Sequence, residues 1–393
     1  MIKITEKSKC CGCSACSEIC PKGCIEMKAD QEGFLYPTVD NAECINCGRC
    51  EKVCPILNKC EIHNELKQTY AVQNIDKAIV KESTSGGFYT ALSEWVIDSG
   101  GVVFGASYND SYYISHSMVD KKENLSTFRN SKYTQSDIAG TYKACKKKLE
   151  GGMLVCFSGT PCEIAGLNSY LGKRYDNLIL TDVVCRGVPS PLLFKKYIDW
   201  NGGAAQIKDV KFRDKKYGYY SSTMSIYKQD GSVIRREIIT DPMISFFFRD
   251  LCSRPSCYDC QFKTKDRVSD FTMFDCWHAN QYSNEFGCNG ATAVVARNER
   301  AVQIMDELLS NKLKGLKIDF NTAVYNDGML MFKCADMNPE RDAFFSMMEN
   351  ESFQALLDKY MKRGGMLKCK IILKSLLMKT GLFNLLKKQR LSK

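Results

Sequence analysis

Apolar and polar positions follow two rhythms along the middle of this chain. Short apolar runs rich in β-branched residues predict strands, whereas apolar residues spaced three or four apart predict helices. Phe88, Leu92, Trp95 and Val96 have the helical spacing and predict a helix over Gly86–Ile97. The predicted strands are Thr69–Gln73, Val102–Ser107, Met153–Phe157, Leu178–Val184, Phe271–Phe274 and Ala291–Ala296. The other predicted helices are Ala139–Leu149, Pro161–Leu171, Pro191–Trp200, Glu299–Leu309 and Phe353–Met361.

The order of these elements predicts the fold class. Strands and helices alternate between Tyr70 and Asp199, which favours an α/β unit with a mostly parallel or mixed sheet. Ile207–Ile239 has an antiparallel pattern with a turn at Gln229–Gly231, and the polar residues before Gln68 form a predicted linker. The chain as a whole is therefore predicted to be α+β, with a mixed sheet and a helical C-terminal tail.

Two cysteine runs of identical spacing precede the linker. Each reads C-x2-C-x2-C-x3-C-P, with Cys20-Pro21 ending the first run and Cys54-Pro55 ending the second. Three thiolates on one tight loop reach three irons of a cubic cluster, and in this spacing the fourth cysteine binds the other cluster of the pair. The expected ligands are Cys10, Cys13, Cys16 and Cys54 for the first 4Fe-4S cluster, and Cys44, Cys47, Cys50 and Cys20 for the second.

Zinc is the competing interpretation of these runs, because C-x2-C pairs also form zinc knuckles. A tetrahedral zinc site does not require the C-x3-C-P ending or its repetition. The proline after the last cysteine fixes φ and turns the chain away from a cluster. Residues 1–60 therefore resemble a two-cluster bacterial ferredoxin.

Composition and length indicate the compartment. The chain has 393 residues, enough for two or three domains, and 22 cysteines, most of them outside the two runs. Met1–Ile4 does not begin an apolar signal segment, and no run of about eighteen apolar residues predicts a membrane span. We therefore expect a protein of a reducing cytoplasm, in an anaerobe, whose cysteines bind metal rather than form disulfides.

The formal net charge of +10 is concentrated in the C-terminal tail. The rest of the chain is nearly balanced, so its charge does not suggest nucleic-acid binding. Between Lys370 and Lys388, apolar residues alternate with lysines, which predicts a basic amphipathic helix interrupted at Gly381. Such a helix contacts a membrane surface or an acidic partner, or packs on its own domain. Its apolar residues are Ile371, Ile372, Leu376, Leu377, Leu382, Phe383 and Leu386.

Two further segments are candidates for ligand binding. Ser83–Gly87 precedes a predicted helix, whose free N–H groups and dipole favour a phosphate or pyrophosphate, although an ordinary capped helix start has the same pattern. Ser158–Cys162 lies between a strand and a helix, where α/β sheets place ligands. Because the chain has neither G-x-G-x-x-G nor a Walker loop, a Rossmann or P-loop nucleotide site is not supported.

Cysteines outside the runs are candidates for a third cluster. Cys162 is expected at a helix N-terminus, where the dipole favours a thiolate, and Cys185 ends the next strand on the same rim of the sheet. Cys257 and Cys260 form a C-x2-C pair on a loop with a proline, and Cys252 is a spare candidate. The competing interpretations are buried structural thiols and a redox-active dithiol at the C-x2-C pair.

Residues Thr69 to Asn298 resemble the beta-subunit family of the deazaflavin (coenzyme factor 420) hydrogenases and dehydrogenases, which has members fused to a ferredoxin. The resemblance implies FAD in a non-Rossmann site beside a 4Fe-4S cluster on Cys162, Cys185, Cys257 and Cys260. Five motifs carry it, in order: Ser85–Gly87, Lys132–Ser136, Gly159–Cys162, Cys185–Ser190 and Pro255–Cys260. The FAD contacts that it implies are Ser85, Gly86, Gly87, Lys132, Tyr133, Thr134, Gln135, Ser158, Gly159 and Thr160.

Two segments depart from the family pattern. Arg186 stands where many relatives have His, and Cys276–His278 stands where many have Phe-Trp-Gly. If these positions face the flavin, the substrate differs from that of the relatives. Lys132, Tyr133 and His278 are the candidate catalytic residues, and the remaining histidines, His63 and His116, are interpreted as incidental.

Together these features predict an iron–sulfur flavoprotein oxidoreductase. Single electrons are expected to pass between a partner protein, the 4Fe-4S clusters and FAD, with hydride transfer to or from a small organic substrate or a deazaflavin. The alternatives are an electron-transfer subunit of a larger complex, with no substrate of its own, and a zinc-binding structural module. The predicted domains are the two-cluster domain at 1–60, the two parts of a flavin-binding domain at 69–200 and 201–345, and a basic helical tail at 346–393.

Overall fold

The computed structural model describes residues 1–59, 62, 66–361, 373–374 and 376–391. His63, Ile371 and Ile372 lie outside the described residues. The strands are β1 (Ile25–Ala29), β2 (Leu35–Val39), β3 (Gln68–Asn74), β4 (Val102–Tyr108), β5 (Ile114–Val119), β6 (Val155–Gly159), β7 (Leu178–Val183), β8 (Ile207–Asp214), β9 (Thr223–Lys228), β10 (Val233–Glu237), β11 (Phe271–Cys276), β12 (Ala291–Ala296) and β13 (Leu313–Ile318).

The α-helices are short to medium in length. They are α1 (Ala15–Glu18), α2 (Arg49–Lys52), α3 (Lys77–Glu82), α4 (Phe88–Asp98), α5 (Thr141–Glu150), α6 (Pro161–Leu171), α7 (Pro191–Trp200), α8 (Pro242–Phe248), α9 (Ala279–Tyr282), α10 (Glu299–Asn311), α11 (Phe320–Asp327), α12 (Arg341–Asn350), α13 (Phe353–Tyr360) and α14 (Leu382–Leu391). Among the described residues, no helix is both long and apolar enough to cross a bilayer.

The large sheet is mixed, as predicted, and has the strand order β13-β3-β12-β11-β7-β6-β4-β5. Strands β4, β6, β7 and β11 are parallel neighbours, whereas β5, β12, β3 and β13 join antiparallel. The sheet therefore contains strands from both predicted parts of the flavin-binding domain. Strands β8, β9 and β10 form a separate antiparallel sheet, with its turn at the predicted position.

Both faces of the large sheet are covered, which explains the continuous apolar runs of its inner strands. In β4, Val102 and Phe104 pack against α5 and α6, while Val103 packs on the opposite face against α4 and α10. A third core lies between α7, α8, α12, α13 and the three-stranded sheet. The predicted domain boundary at residue 345 falls inside α12, so residues up to Met361 belong to this third core and the tail begins after it.

The ferredoxin-type segment is docked onto the rest of the chain through buried polar contacts. Arg254, which is fully buried, donates from Nε to the carbonyl of Cys10 (2.7 Å) and from a terminal nitrogen to the carbonyl of Leu35 (3.0 Å). At the tip of the β1–β2 hairpin, Glu32 forms a two-pronged ion pair with Arg341 (2.6 and 3.0 Å). Losing one partner of such a buried pair leaves the other charge unpaired, so these contacts fix how the segment is seated.

The tail helix α14 is seated on its own domain through polar groups. Asn384 accepts a hydrogen bond from the backbone N–H of Tyr220 (3.2 Å) and donates to the carbonyl of Tyr217. Leu382, Leu385 and Leu386 of the same helix are 45–60% exposed. The helix therefore packs on its domain, as one interpretation of the sequence expected, but directs leucines outwards.

Candidate functional site

The first cavity lies inside the ferredoxin-type segment. Its walls carry Cys10, Cys13, Cys16 and Cys54, the four cysteines expected to bind the first cluster. The first three lie on the chain that leads into and through α1, and the fourth follows α2 at the end of the second run. Four thiols around one void, with the last supplied by the other run, fit a cubic cluster.

The second cavity has the reciprocal composition. Cys44, Cys47 and Cys50 of the second run line it together with Cys20 of the first run. Cys24 lines the same cavity, with its Sγ 3.4 Å from the Sγ of Cys20. Cys24 lies outside the repeated spacing, so the spacing does not predict it at this cavity.

The third cavity lies between the ferredoxin-type segment and the large sheet. It is lined by Cys162 near the start of α6, Cys185 just after β7, and the C-x2-C pair of Cys257 and Cys260. The backbone N–H of Val188 donates to the Sγ of Cys257 (3.4 Å). The structure thus brings together four cysteines from three distant segments, as a third cluster requires.

The protonation of these thiols differs from the expectation for Cys162. A hydrogen bond with Cys11 and burial raise the pKa of Cys162 well above its usual value. These two effects outweigh the lowering of the pKa that a helix N-terminus favours. Burial also raises the pKa of Cys185, against the opposing charge of Lys263. Metal binding would therefore release these protons. Cys252, the spare candidate, is fully buried in the third core and is a structural thiol.

The first cavity, the third cavity and the large cleft adjoin one another, because neighbouring ones share lining residues. Lys9, Cys11 and Ile56 line both the first and the third cavity. The segment Cys185–Val188 lines both the third cavity and a much larger cleft. Among the described residues, no three His, Cys, Asp or Glu side chains gather closely enough to hold a single metal ion. The thiols of each set therefore lie too far apart to bind one metal ion and instead surround a cavity.

The cleft has an empty volume of about 1860 Å³, including its open mouth. It lies over the carboxyl ends of the parallel strands β4, β6, β7 and β11, where open α/β sheets bind their ligands. The cavity volume of the cleft is about 460 Å³, within the range of about 300–1,000 Å³ that is usual for small-molecule and cofactor pockets.

The predicted phosphate-binding segment contributes only part of its residues to the cleft. Ser85 and Gly87 line it, and Gly87 has φ +82° just before α4. Gly86 packs behind them: its N–H donates to the hydroxyl of Thr292 (2.9 Å), and a Cβ there would lie 2.3 Å from the carbonyl oxygen of Val72. Close backbone approach, rather than a ligand, explains the glycine at position 86.

Gln135 was expected to contact FAD, but the structure places it at the ferredoxin interface. Its Nε2 donates to the carbonyl of Cys11 (3.3 Å), and its Oε1 accepts from Arg254 (2.9 Å). A Cβ on Gly12 would come within 2.3 Å of the same amide. The Gln135 contact is therefore structural, whereas Thr134 lines the cleft and donates to the carbonyl of Pro189 (3.1 Å).

Lys132 and Tyr133 both line the cleft. Burial lowers the pKa of Lys132 to about 8, and its Nζ donates to the backbone carbonyl of Arg129 (3.2 Å). The hydroxyl of Tyr133 accepts from Arg213 (3.3 Å), and its ring lies 5.2 Å from that of Phe247. An amine that titrates near neutral pH beside a wedged phenol is suited to handling a proton in the cleft.

The end of β6 also faces the cleft. Ser158, Gly159 and Thr160 line it, and the N–H of Thr160 donates to Glu163 (2.7 Å) in a capping box that begins α6. His116 lines the cleft as well, with its Nε2 2.8 Å from the carbonyl oxygen of Ser158. The interpretation of His116 as incidental is therefore incomplete.

The two departures from the family pattern reach the cleft in part. Arg186 lines it, with its charge paired to Asp250 at 2.6 and 3.1 Å. Trp277 lines it too, whereas His278 is turned behind it, with Nδ1 2.7 Å from the carboxylate of Asp327. Arg186, Trp277 and Asp327 thus line the cleft, whereas His278 reaches it only by contact with Asp327.

A group that the sequence analysis missed completes the cleft. Arg213 at the end of β8 is buried, and its NH1 donates to Asp275 (3.1 Å). Its guanidinium lies 4.7 Å from the ring centre of Trp277, which stacks on Tyr219 at 4.6 Å. No spacing rule identifies an arginine on an antiparallel strand as a cleft residue, because only the packing of the two sheets brings it there.

Two family models match separate parts of this chain. The model of the 4Fe-4S dicluster domain matches residues 9–57, and the model for the C terminus of the coenzyme F420 hydrogenase/dehydrogenase beta subunit matches residues 152–317. A solved chain from the xenon-derivatised F420-reducing NiFe hydrogenase complex of Methanosarcina barkeri is similar at 14% identity, with a TM-score of 0.45, over 76% of this chain and 92% of that chain. No curated protein sequence matches this chain.

Proposed function

Because residues 152–317 belong to the coenzyme F420 hydrogenase/dehydrogenase beta-subunit family and residues 9–57 form a 4Fe-4S dicluster domain, we propose that this iron–sulfur electron-transfer protein is a flavoenzyme. In this proposal, electrons move between three 4Fe-4S clusters and an FAD held in the cleft. A hydride then passes to or from a small organic substrate or a deazaflavin.

The series of cavities carries the proposal. The first and third cavities share Cys11, and the third cavity is separated from the cleft only by Cys185–Val188. A wall this thin, with thiols on its cluster side, suits electron exchange with a ligand on its cleft side. A purely structural zinc module would not require an open cleft of about 1860 Å³ behind that wall.

The residues present fit the proposed groups. Five cysteines line each of the three cavities: the four expected ligands, which are the donor set of a 4Fe-4S cluster, and one further cysteine, Cys11 or Cys24. The cleft offers hydroxyls from Ser85, Ser158 and Thr160, and a buried Arg213 whose NH2 has no hydrogen-bond partner among the described residues. Such an orphaned cation calls for a ligand with a negative or carbonyl oxygen.

The protein's part in the reaction is to orient, insulate and move a proton. Bound FAD would supply the exchange between single electrons and a hydride. Tyr133, wedged among aromatic rings, and Trp277 limit where a planar ring can lie. Lys132 can hold or release a proton at its Nζ near neutral pH. The Arg186–Asp250 pair braces the wall next to Cys185.

The second cavity is the proposed point of electron entry. Cys47 on its wall is exposed, and Ile45 beside it is 58% exposed. The described lining residues include Lys22 and Arg49 but no carboxylate, and the amine of Met1 beside them is paired with Glu51 (2.9 Å). A small apolar patch edged by cations fits the transient docking of an acidic one-electron carrier. We propose the reducing cytoplasm as the compartment, because it suits clusters and 22 cysteines.

The runner-up is an electron-transfer subunit with no substrate of its own, which passes its electrons to a partner enzyme. The position of the cleft favours the enzyme, since a subunit that only passes electrons between clusters needs no ligand pocket over the carboxyl ends of its parallel strands. We also propose that the tail provides peripheral membrane contact, on the strength of its outward-facing leucines and excess of cations.

Metal and flavin analysis of protein purified without oxygen tests the proposal. We expect about twelve irons and about one FAD per chain, since each cluster holds four irons. Cys257→Ser/Cys260→Ser should fall to about eight irons. Cys252→Ala, a matched change at a buried cysteine that lines none of the three cavities, should retain all three clusters. Iron without flavin would contradict the flavoenzyme, and zinc in place of iron would contradict the clusters.

A further inference from the structure

Arg213 is held rigidly at one corner of the cleft. It lies on β8 and is 6% exposed. Its NH1 donates to Asp275 (3.1 Å) and to the hydroxyl of Tyr133 (3.3 Å), and its guanidinium lies 4.7 Å from the ring centre of Trp277. The other carboxylate oxygen of Asp275 accepts from Tyr219 (3.1 Å). The corner therefore has a fixed cation with aromatic rings beside it.

One nitrogen of the Arg213 guanidinium has no hydrogen-bond acceptor among the described residues. This nitrogen, NH2, is buried. Burial alone would lower the pKa of Arg213, but the neighbouring Asp275 carboxylate outweighs it and raises the pKa, so the group stays charged. A buried, charged N–H without an acceptor is costly, and Arg213 lines the cleft in which a ligand could supply that acceptor.

Other cations on the cleft walls are engaged differently. Arg186 has both a two-pronged pair with Asp250 and a contact with the ring of Phe248. Lys132 directs its Nζ to backbone carbonyl groups. Arg213, whose NH2 has no acceptor among the described residues, is therefore the cation best placed to donate to an oxygen of a ligand in the cleft.

Resting on the proposed function, we infer that Arg213 binds the flavin-ring oxygen on which negative charge accumulates during reduction, and so sets the reduction potential of the flavin. The oxidised ring takes up two electrons, one from each of two reduced clusters, and one proton from water. It thereby gains a single negative charge, and the two clusters are each oxidised by one electron. A charge-assisted hydrogen bond to that oxygen is stronger in the reduced state than in the oxidised state.

The reduction potential of the bound flavin tests this inference without relying on turnover. Arg213→Gln keeps a polar side chain but removes the charge. We expect it to shift the preference for the reduced flavin by at least tenfold, which lowers the two-electron potential by about 30 mV. Arg213→Lys should recover part of the shift. Arg174→Gln, which removes a cation that is 76% exposed and lines neither the cleft nor the third cavity, should leave the potential close to that of the wild type.

The outcomes separate this inference from the function on which it rests. A wild-type chain that binds no flavin would overturn both. A wild type with flavin, and an Arg213→Gln protein of unchanged potential, would overturn the role of Arg213 alone. If Arg213→Gln fails to retain flavin, the potential of Arg213→Lys decides: a value below that of the wild type supports the inference, and an equal value overturns it.

Discussion

Residues of one motif prove to have different tasks in this fold. Ser85 and Gly87 line the cleft. Only glycine fits at position 86 between them, because a Cβ there would clash with the backbone of β3. Thr134 faces the cleft, and the next residue, Gln135, holds the ferredoxin loop through Cys11. A sequence motif therefore indicates which region lies at the site. The direction of the backbone decides whether each side chain faces the cleft or packs against the protein.

Arg213 shows the limit of reading single residues from a sequence. Its strand lies in the predicted antiparallel segment. Nothing in the pattern of that strand indicates that the side chain of Arg213 contacts a residue of the large sheet. Its partners Asp275 and Tyr133 lie 62 and 80 residues away in the sequence. Such a site depends on tertiary packing, which local periodicity does not encode.

Lys132 should act as an acid in the cleft. Burial lowers its pKa to about 8, so it is protonated below that pH and neutral above it. If it donates a proton during hydride transfer, turnover should fall as pH rises through about 8, and Lys132→Met should lower turnover by about 100-fold, as for loss of a general acid. The measurement is the pH profile of kcat. A Lys132→Met profile equal to that of the wild type would remove Lys132 from the mechanism.

Stability supplies the control for this substitution. Because folding lowers the pKa of Lys132, the unfolded chain binds more protons between about pH 8 and about pH 10.4, and the stability of the protein rises with pH across that window. Lys132→Met lacks this dependence. The variant should therefore be at least as stable as the wild type at pH 7 in denaturant unfolding, so that a loss of turnover is not a loss of folding.

At the scale of elements, interior strands were predictable and edge strands were not. Strands β4, β6, β7 and β12 are covered on both faces, so their sequences are continuous apolar runs. The edge strands β5 and β13 have alternating buried and part-exposed positions in short, polar sequences, and they were missed. Helix α8, whose sequence PMISFFF is apolar throughout, has no helical period to detect.

The tail helix α14 should bind anionic lipid. Its outward-facing leucines and the cations around it form a basic amphipathic surface. Replacing Leu385 and Leu386 by Glu should weaken sedimentation with phosphatidylserine vesicles by about 100-fold, since burying each leucine contributes about 1.5–3 kcal/mol. Leu57→Glu is the matched control, because Leu57 and Leu385 are equally exposed at 60% but lie on different parts of the molecule.

Two results would contradict lipid binding by the tail. One is a wild-type protein that stays in the supernatant with the vesicles at low salt. The other is equal sedimentation of the Leu385→Glu/Leu386→Glu protein and the Leu57→Glu control. Binding that survives high salt would indicate that the leucines contribute more than the lysines, because salt screens the attraction of the cations to the lipid.

At the scale of the whole molecule, the first cavity, the third cavity and the cleft adjoin one another and form a path. The ligands of the first two clusters can be assigned from the cysteine spacing alone, because in this spacing the fourth cysteine of each run binds the other cluster. The third set could be proposed from the sequence, but only the fold brings Cys162, Cys185 and the Cys257–Cys260 pair to one void. The seating of the ferredoxin-type segment by Arg254 and Glu32 keeps that path continuous.

Electron passage through the third cavity is the central claim. The direct test is anaerobic rapid mixing of the oxidised protein with a reduced one-electron carrier, while cluster and flavin absorbance are followed separately. In the wild type, cluster reduction should precede flavin reduction. In Cys257→Ser/Cys260→Ser with FAD bound, the first two clusters should be reduced at the wild-type rate while the flavin stays largely oxidised. Flavin reduction at the wild-type rate in that variant would contradict the account.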